Sequence, residues 1–214
     1  MMIQGKVAGV SITNTGAGDP NNQASIQVRG VSSRAAGLGP LIVIDGVPGG
    51  NLTNINPNDI ESYDVLKDGA ASAIYGTRGS NGVILVTTKK GARDGNLHTS
   101  YNGSIALDVI KKDLDMLSPD EYRANRLASG TGYDLGGSTD WMKEVSRVGV
   151  RTVHTLTLSG GNIKSNYRAS VDYRDAKGID KYSGRREYGA RVSLNHTNKS
   201  GLITFGLNVA PRIA

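Results

Sequence analysis

The sequence predicts an α+β domain followed by an antiparallel β-meander. Residues 40–90 place one short helix among strand-like segments, as expected for a compact unit of strand, helix and strand. From residue 97 onward, apolar and polar side chains alternate with a period of two over about five segments. The stretch KKGARDG at residues 89–95 is polar, glycine-rich and unlike either neighbour. We therefore predict a domain boundary there, between residues 1–95 and residues 96–214.

Three strands and one turn form the core of the first domain. The apolar run LIVI predicts a strand at residues 41–44, and the pair Asp45 and Gly46 predicts the turn that follows it. Residues 60–66 and 83–88 predict the second and third strands. Asp45 is most simply a turn residue in this interpretation.

A short helix is predicted at residues 68–75, between the second and third strands. Asp68 is a suitable N-cap, and the alanines that follow give a small-residue helix that can lie close on a sheet. Gly76 ends the helix, because a left-handed residue after the last turn is cheap only for glycine. Residues 76–82 lack the lysine and the spacing of a nucleotide-binding loop, so we interpret them as the turn into the third strand.

The residues before this core predict further local structure. Residues 1–10 fit a short helix that turns into a strand, and residues 25–31 alternate as a half-buried strand does. Residues 16–22 and 34–39 are polar loops. We expect these two loops to face ligand or solvent.

Alternation in the second domain separates one apolar face from one polar face. The second segment, residues 151–159, alternates less cleanly than the others. The apolar positions are Tyr101, Ile105, Leu107 and Val109 in the first segment, Tyr167, Ala169, Val171 and Tyr173 in the third, Tyr188, Ala190, Val192 and Leu194 in the fourth, and Ile203, Phe205, Leu207 and Val209 in the fifth. Such faces fit either a transmembrane β-barrel with a wet lumen or a soluble sheet with a packed inner face.

The connections between these segments alternate between long and short, as the outer loops and inner turns of membrane barrels do. The first connection is the longest, and its sequence predicts a helix with recognisable capping residues at both ends. Ser118 is its N-cap, Pro119 its first residue and Glu121 the partner in a capping box, while Gly130 ends it.

The sequence predicts neither a catalytic nor a metal site. The chain has no cysteine, and its three histidines lack paired spacing. Carboxylates at Asp113, Asp115, Asp120 and Glu121 do not match a calcium loop, and Asp59, Glu61 and Asp64 fit a partly exposed strand edge. The net charge of +6 comes from basic residues interleaved with acidic ones, so we expect no nucleic-acid partner. We predict that the protein is not an enzyme and needs no cofactor.

Five motifs follow one another along the first domain: QGKVAGV at residues 4–10, IQVRGV at 26–31, IDGVP at 44–48, NPNDIESYDVLKD at 56–68 and AIYGTRGSNGVILVTTKKG at 73–91. Together they closely resemble the plug domain of TonB-dependent outer-membrane receptors of the SusC/RagA family. The resemblance continues through TDWMKEV at 139–145 and LTLSGG at 156–161. It implies a structural plug signature at Arg29, Gly30, Asp45, Gly46, Asp59, Glu61, Lys67, Asp68, Tyr75, Gly76, Arg78, Gly79 and Gly82.

The resemblance also implies a function. Residues 1–95 would be the plug, and residues 96–214 the first five or so strands of an incomplete outer-membrane β-barrel. Receptors of this type import glycans or peptides across the outer membrane with a SusD-like surface lipoprotein, powered through the TonB complex. Because large plugged barrels have about 22 strands, we expect the chain to be truncated, without the signal peptide and the segment that TonB contacts.

Two other classes of function remain open from the residues alone. A soluble carbohydrate-binding β domain would use the tyrosines and Trp141 as sugar platforms. A glycoside hydrolase needs two carboxyl groups about 5 to 9 Å apart across a cleft, and nothing in the sequence demonstrates such a pair.

Overall fold

A computed structural model of the chain describes residues 10–14, 16, 18–22, 24–28, 39–67, 69–111, 115–127, 129–130, 133, 135–198, 200 and 202–214. The first half contains β1 (Val10–Thr13), β2 (Ser25–Val28), β3 (Leu41–Ile44), β4 (Val47–Pro48), β5 (Ile60–Leu66), α1 (Gly69–Tyr75) and β6 (Val83–Thr88). The second half contains β7 (His98–Asp108), α2 (Pro119–Tyr122), α3 (Trp141–Val145), β8 (Gly149–Gly161), β9 (Ser165–Lys177), β10 (Gly184–Thr197), β11 (Thr204–Val209) and β12 (Arg212–Ile213).

The first domain is built on a mixed sheet with the strand order β4, β3, β6, β5. Strand β6 is central, pairing in parallel with β3 and antiparallel with β5. Its side chains are buried on both faces: Ile84 packs with Ile55 and Ile60, and Val83 packs with Ala71 of α1. The three strands predicted for this core are confirmed with their bounds.

Positive backbone angles occur where the sequence predicts a turn and a helix end. Asp45 and Gly46 have φ of 49° and 87° in the turn between β3 and β4. Gly76 has a φ of 60° directly after α1, so the predicted end of the helix is confirmed. The predicted N-cap, Asp68, lies outside the described residues.

Upstream of β3, the described residues form a small antiparallel pair. Strands β1 and β2 pair with each other, and Ile12 and Ile26 pack against the core of the mixed sheet. The helix expected within residues 1–10 falls on residues 1–9, which lie outside the described part of the chain. The same holds for residues 29–38, which include most of the second polar loop.

The second domain is an antiparallel meander in which each long strand pairs with the next, in the order β11, β10, β9, β8, β7. This confirms the alternation read from the sequence. Strands β7 to β10 are longer than the predicted segments; β8, for example, covers residues 149–161 where the pattern indicates only 151–159. Strand β11 covers only residues 204–209 and is slightly shorter than its predicted segment. Strand β12, which the pattern does not predict, pairs with β10 beyond a break at Pro211.

On the middle strands β8, β9 and β10, the apolar side chains point outward and the polar side chains are covered, whereas β7 and β11 are exposed on both faces. On β9, Ser170 is 4% exposed whereas its neighbour Val171 is 53% exposed. On β10, Glu187 is 6% exposed beside Tyr188 at 53%. A soluble sheet with a packed apolar inner face would show the reverse distribution, so this interpretation of the alternation is wrong.

The long connection between β7 and β8 carries the predicted capping box. Ser118 N donates to Glu121 Oε2 at 2.8 Å, and Glu121 N donates to Ser118 Oγ at 3.3 Å. The helix that follows the cap is short, because α2 passes into a π-helical turn at Arg123–Leu127. Within the described part of the chain, no helix is long and apolar enough to cross a membrane.

Candidate functional site

The candidate site is the contact between the plug-like first domain and the polar face of the meander, and Asp59 lies at its centre. Asp59 ends a 3₁₀ turn, Pro57–Asp59, and is 2% exposed. Its Oδ1 accepts a hydrogen bond from Arg168 Nη2 at 3.0 Å, and its Oδ2 accepts one from Ser170 Oγ at 2.7 Å. Burying a carboxylate costs free energy unless it is paired and hydrogen-bonded, and both donors come from β9.

The turn that presents Asp59 is fixed by Asn56. Asn56 Oδ1 accepts from the backbone N–H of Asn58 at 3.0 Å, which caps the turn, and Pro57 occupies the first helical position. The amide nitrogen of Asn56 contacts the second domain, because Nδ2 donates to Thr155 Oγ1 on β8 at 2.8 Å. One buried side chain therefore shapes the turn and fastens it to the meander.

Two arginines of the meander hold the backbone immediately before this turn. Arg174 Nη2 donates to the carbonyl oxygen of Ile55 at 3.3 Å, and Arg212 Nε donates to that of Asn54 at 3.2 Å. These contacts use main-chain acceptors of the first domain, so they depend on the path of its backbone and not on its side chains. Arg212 belongs to β12, the strand that the sequence pattern does not reveal.

The same arginines are held in place by two buried carboxylates. Arg212 Nη2 lies 3.0 Å from Asp172 Oδ1, and Glu187 Oε2 lies 3.4 Å from both Arg174 Nη1 and Arg212 Nη1. The side chains of Asp172, Glu187 and Arg212 are 5%, 8% and 9% exposed. These contacts hold the guanidinium groups in the orientation in which they contact the first domain.

A separate contact lies at the turn after β3. Asp45 Oδ1 accepts from the backbone N–H of Thr88 at 2.8 Å, and its Oδ2 accepts from Thr88 Oγ1 at 2.7 Å. Arg191 Nη1 of β10 approaches Asp45 Oδ2 at 3.8 Å. Asp45 thus ties the β3–β4 turn to the end of β6 and also faces a cation of the meander.

The residues of the predicted signature have different structural roles. Gly79 cannot carry a side chain without conflict, since a Cβ there would lie 2.6 Å from the backbone oxygen of Ala71 in α1. Gly82 has a φ of 87° and faces Val28. Tyr75 packs on the core, Glu61 and Arg78 are exposed, and Lys67 is half-buried just after β5. Arg29, Gly30 and Asp68 lie outside the described residues.

Asp59 corrects one sequence-based interpretation. The sequence pattern of Asp59, Glu61 and Asp64 predicts a partly exposed strand edge, and Glu61 and Asp64 are indeed exposed. Asp59 instead precedes β5 and is buried by Arg168 and Ser170. Its partners stand on the polar face predicted for the third segment, but nothing in the local pattern pairs that face with residue 59.

An open cavity of about 490 Å³ adjoins this contact. Asp19 and Asn22 of the first polar loop line one side, and Arg151 and Arg185 of the meander line the other. Most of the lining residues are amide or charged, but more than half of the exposed lining surface is apolar. The cavity therefore offers both hydrogen-bonding groups and apolar surface to an occupant.

Each of the three histidines contacts a different side chain. Those neighbours are Asp94 for His98, Tyr101 for His154 and Ser165 for His196, each at 2.7 Å. Among the residues that the structure describes, no group of histidine and carboxylate side chains is arranged to hold a metal ion.

Comparison with known proteins gives a consistent result. The TonB-dependent Receptor Plug Domain family matches residues 2–83. TonB-dependent receptor SusC of Bacteroides thetaiotaomicron is 42% identical over 97% of this chain, and the match covers 22% of SusC. A TonB-dependent receptor of Formosa agariphila is 36% identical over 95% of the chain and 21% of its own length. The chain thus spans about a fifth of the length of these relatives.

Solved structures show the same architecture. The RagAB peptide importer in its closed-closed state matches with a TM-score of 0.87 and 26% identity, over 98% of this chain and 28% of that one. The siderophore receptor PirA of Pseudomonas aeruginosa matches with a TM-score of 0.53 and 18% identity, over 97% of this chain and 36% of that one, which shows a shared fold alone. The predicted fold class, an α+β domain followed by an antiparallel meander, is confirmed.

Proposed function

The chain belongs to the SusC/RagA type of TonB-dependent receptors, and from this we propose that it supplies the plug and the first barrel strands of an outer-membrane importer. Residues 1–95 are the plug in this proposal, and residues 96–214 are the barrel strands. The observation that carries the proposal is the reversed burial of strands β8 to β10, whose polar side chains are buried toward the plug while their apolar side chains are exposed.

Membrane barrels require this reversed burial. Their lipid-facing side chains are apolar, and their inward side chains are polar because the interior is wet or filled by a plug. The alternation of Ser170 at 4% and Val171 at 53% exposure follows the same rule, with Ser170 bonded to Asp59 of the plug. This arrangement supports a location in the outer membrane.

An aromatic row on the outward face supports the same location. The rings of Tyr101 and His154 lie 6.1 Å apart, those of His154 and Tyr173 6.4 Å, and those of Tyr173 and Tyr188 5.1 Å, across four adjacent strands. Barrels carry girdles of aromatic residues at the membrane interfaces. Tyr167 lies near the other end of β9, where a second girdle is expected.

The polar character of the contact suits a plug that moves. Each hydrogen bond from Arg168, Arg174 or Asn56 can be exchanged for one with water, so its net contribution is only about 0.5–3 kcal/mol. An apolar interface of the same size would instead expose its surface to the wet lumen when the plug shifts. The plug is thus held specifically but reversibly, as transport requires.

We propose that the complete receptor imports glycans or peptides with a SusD-like surface lipoprotein and with energy from the TonB complex. Its similarity to SusC and to the RagAB peptide importer supports this proposal. The cavity beside Asp19, Asn22 and Arg151 presents amide and charged groups that could hydrogen-bond to a polar substrate.

The test is uptake by cells that express the receptor carrying this chain. Fluorescein-labelled dextran oligosaccharides and a fluorescein-labelled tryptic peptide mixture serve as separate probes, with and without a protonophore. We expect accumulation of one probe class that disappears when the protonophore collapses the energy supply. Accumulation of neither probe, or accumulation that the protonophore leaves unchanged, contradicts the proposed import.

A further inference from the structure

The turn between β9 and β10, residues 178–183, contacts two distant loops at once. Ile179 N donates to the carbonyl oxygen of Gly18, in the first polar loop of the plug, at 3.0 Å. The carbonyl oxygen of Ile179 accepts from Arg147 N, at the end of the long β7–β8 connection, at 2.7 Å. The peptide groups of one residue therefore join the plug to an outer loop of the meander.

Contact on the plug side is close. A Cβ on Gly18 would lie 2.5 Å from Cδ1 of Ile179, and a Cβ on Gly178 would lie 2.7 Å from the carbonyl oxygen of Gly18. Asn21 Nδ2 also reaches the carbonyl oxygen of Gly184 at 3.4 Å. Because the backbone of Gly18 approaches Gly178 this closely, the plug loop cannot shift toward the turn without moving it.

Arg147 makes most of the contacts between the turn and the β7–β8 connection. Its Nε donates to the carbonyl oxygen of Gly178 at 3.0 Å, and its Nη2 donates to that of Ser183 at 2.7 Å. Lys181 N donates to the carbonyl oxygen of Val145, the last residue of α3, at 2.9 Å. Arg147 thus spans the turn and fixes its position relative to α3.

We propose that the 178–183 turn couples the first polar loop of the plug to the α3 end of the long β7–β8 connection. Displacing either loop breaks hydrogen bonds of the turn, and the partly buried polar groups left behind raise the cost of keeping the other loop in place. Such coupling is reciprocal by thermodynamic necessity. It goes beyond the proposed import, because it links two loops of the resting protein whatever the substrate is.

Hydrogen exchange of the full chain in detergent micelles tests the coupling from the plug side. Gly18→Val places a side chain against Ile179, and Gly137→Val is the matched control, since no described atom lies within 4 Å of a Cβ at Gly137. We expect Gly18→Val to raise amide exchange at Arg147 and Lys181 about tenfold and the control to leave it unchanged. Faster exchange confined to Ile179 and the plug loop overturns the proposal.

The reverse direction uses Arg147→Ala, with Arg147→Lys as the variant that keeps the charge but loses the fork of donors. We expect the alanine variant to raise exchange at Asp19 and Asn22, whose amides bond within the plug loop. Ile179→Ala removes the packing against Gly18 while it keeps the backbone bonds, so it separates coupling from misfolding. If no meander variant changes exchange in the plug loop while β6 stays protected, the two loops are neighbours without coupling.

Discussion

Asp59 of the plug accepts a hydrogen bond from Arg168 of β9 across 109 positions of the chain, at 3.0 Å. The carboxylate is 2% exposed and the arginine side chain 13%, so the pair is largely removed from water. A buried charge that loses its partner costs far more than the intact pair contributes. The geometry of this pair therefore fixes where the plug sits on the polar face.

Asp59→Asn tests that role. The substitution leaves Arg168 buried without its counter-charge, so we expect a loss of about 3–5 kcal/mol in the free energy of unfolding. Asp64→Asn on the same strand region is the matched control, because Asp64 is exposed. Denaturant unfolding of the chain in detergent gives both values. A difference between the two variants smaller than about 0.5 kcal/mol contradicts the assignment.

The mixed sheet could be predicted because the sequence features that indicate it lie close together in the chain. An apolar run, a turn pair and a helix-ending glycine fix β3, the Asp45 turn and α1 within a few residues of one another. The partners of Asp59 could not be predicted, since Arg168 and Ser170 lie more than a hundred positions away. Alternation reveals that β9 has a polar face, but it carries no information about what that face contacts.

The same distinction explains why the meander could be predicted only in part. A period of two is identical whether the apolar face packs inward or faces lipid, so the pattern alone leaves both arrangements open. The burial of Ser170 against Asp59, and of Glu187 among arginines, decides between them. Strand β12 escapes prediction because it is short and follows Pro211, which interrupts the pattern.

Gly76→Val tests the end of α1. Gly76 has a φ of 60°, and no described atom lies within 4 Å of the position that a Cβ would take there, so the cost is conformational and not steric. A β-branched residue in this region costs on the order of 1–2 kcal/mol. A lower Tm of the plug by thermal unfolding is the expected result, with Gly137→Val as the control. Equal Tm values for the two variants count against it.

The carboxyl group of Asp94 gives a pH-dependent prediction for the linker before β7. Hydrogen bonds from His98 and then from Asn96 lower the pKa of Asp94 from 3.8 to about 2. Because the folded pKa is depressed, the stabilisation from the ionised carboxylate is present above its ordinary pKa of 3.8 and is lost as the pH falls through about 2. An NMR titration that follows the Asp94 carboxyl carbon measures this pKa.

His98→Ala is the comparison for that titration. Removing the ring takes away the largest cause of the depressed pKa, so the midpoint of Asp94 should move up toward its ordinary value. An unchanged midpoint would show that the contact between His98 and Asp94 does not persist in solution.

The outward face predicts how the chain behaves without lipid. Tyr101, Val171 and Phe205 are 64%, 53% and 58% exposed on one continuous side, and a large apolar surface of this kind promotes association. The free edge of a strand adds a template for pairing. We expect sedimentation to show associated chains in detergent-free buffer and a smaller species in detergent. A well-folded monomer in plain buffer contradicts the lipid-facing role of the outward face.

Single-cysteine spin labelling tests most directly the claim that the meander turns one face to lipid and one to the plug. The chain has no cysteine of its own, so Val192→Cys and Ser193→Cys each give one label on adjacent positions of β10. Val192 is 40% exposed and Ser193 4%. In phospholipid vesicles, the label at 192 should collide with membrane-dissolved oxygen and be shielded from an aqueous nickel chelate, while the label at 193 should be immobilised and shielded from oxygen. A label at 192 that the nickel chelate reaches freely contradicts the account.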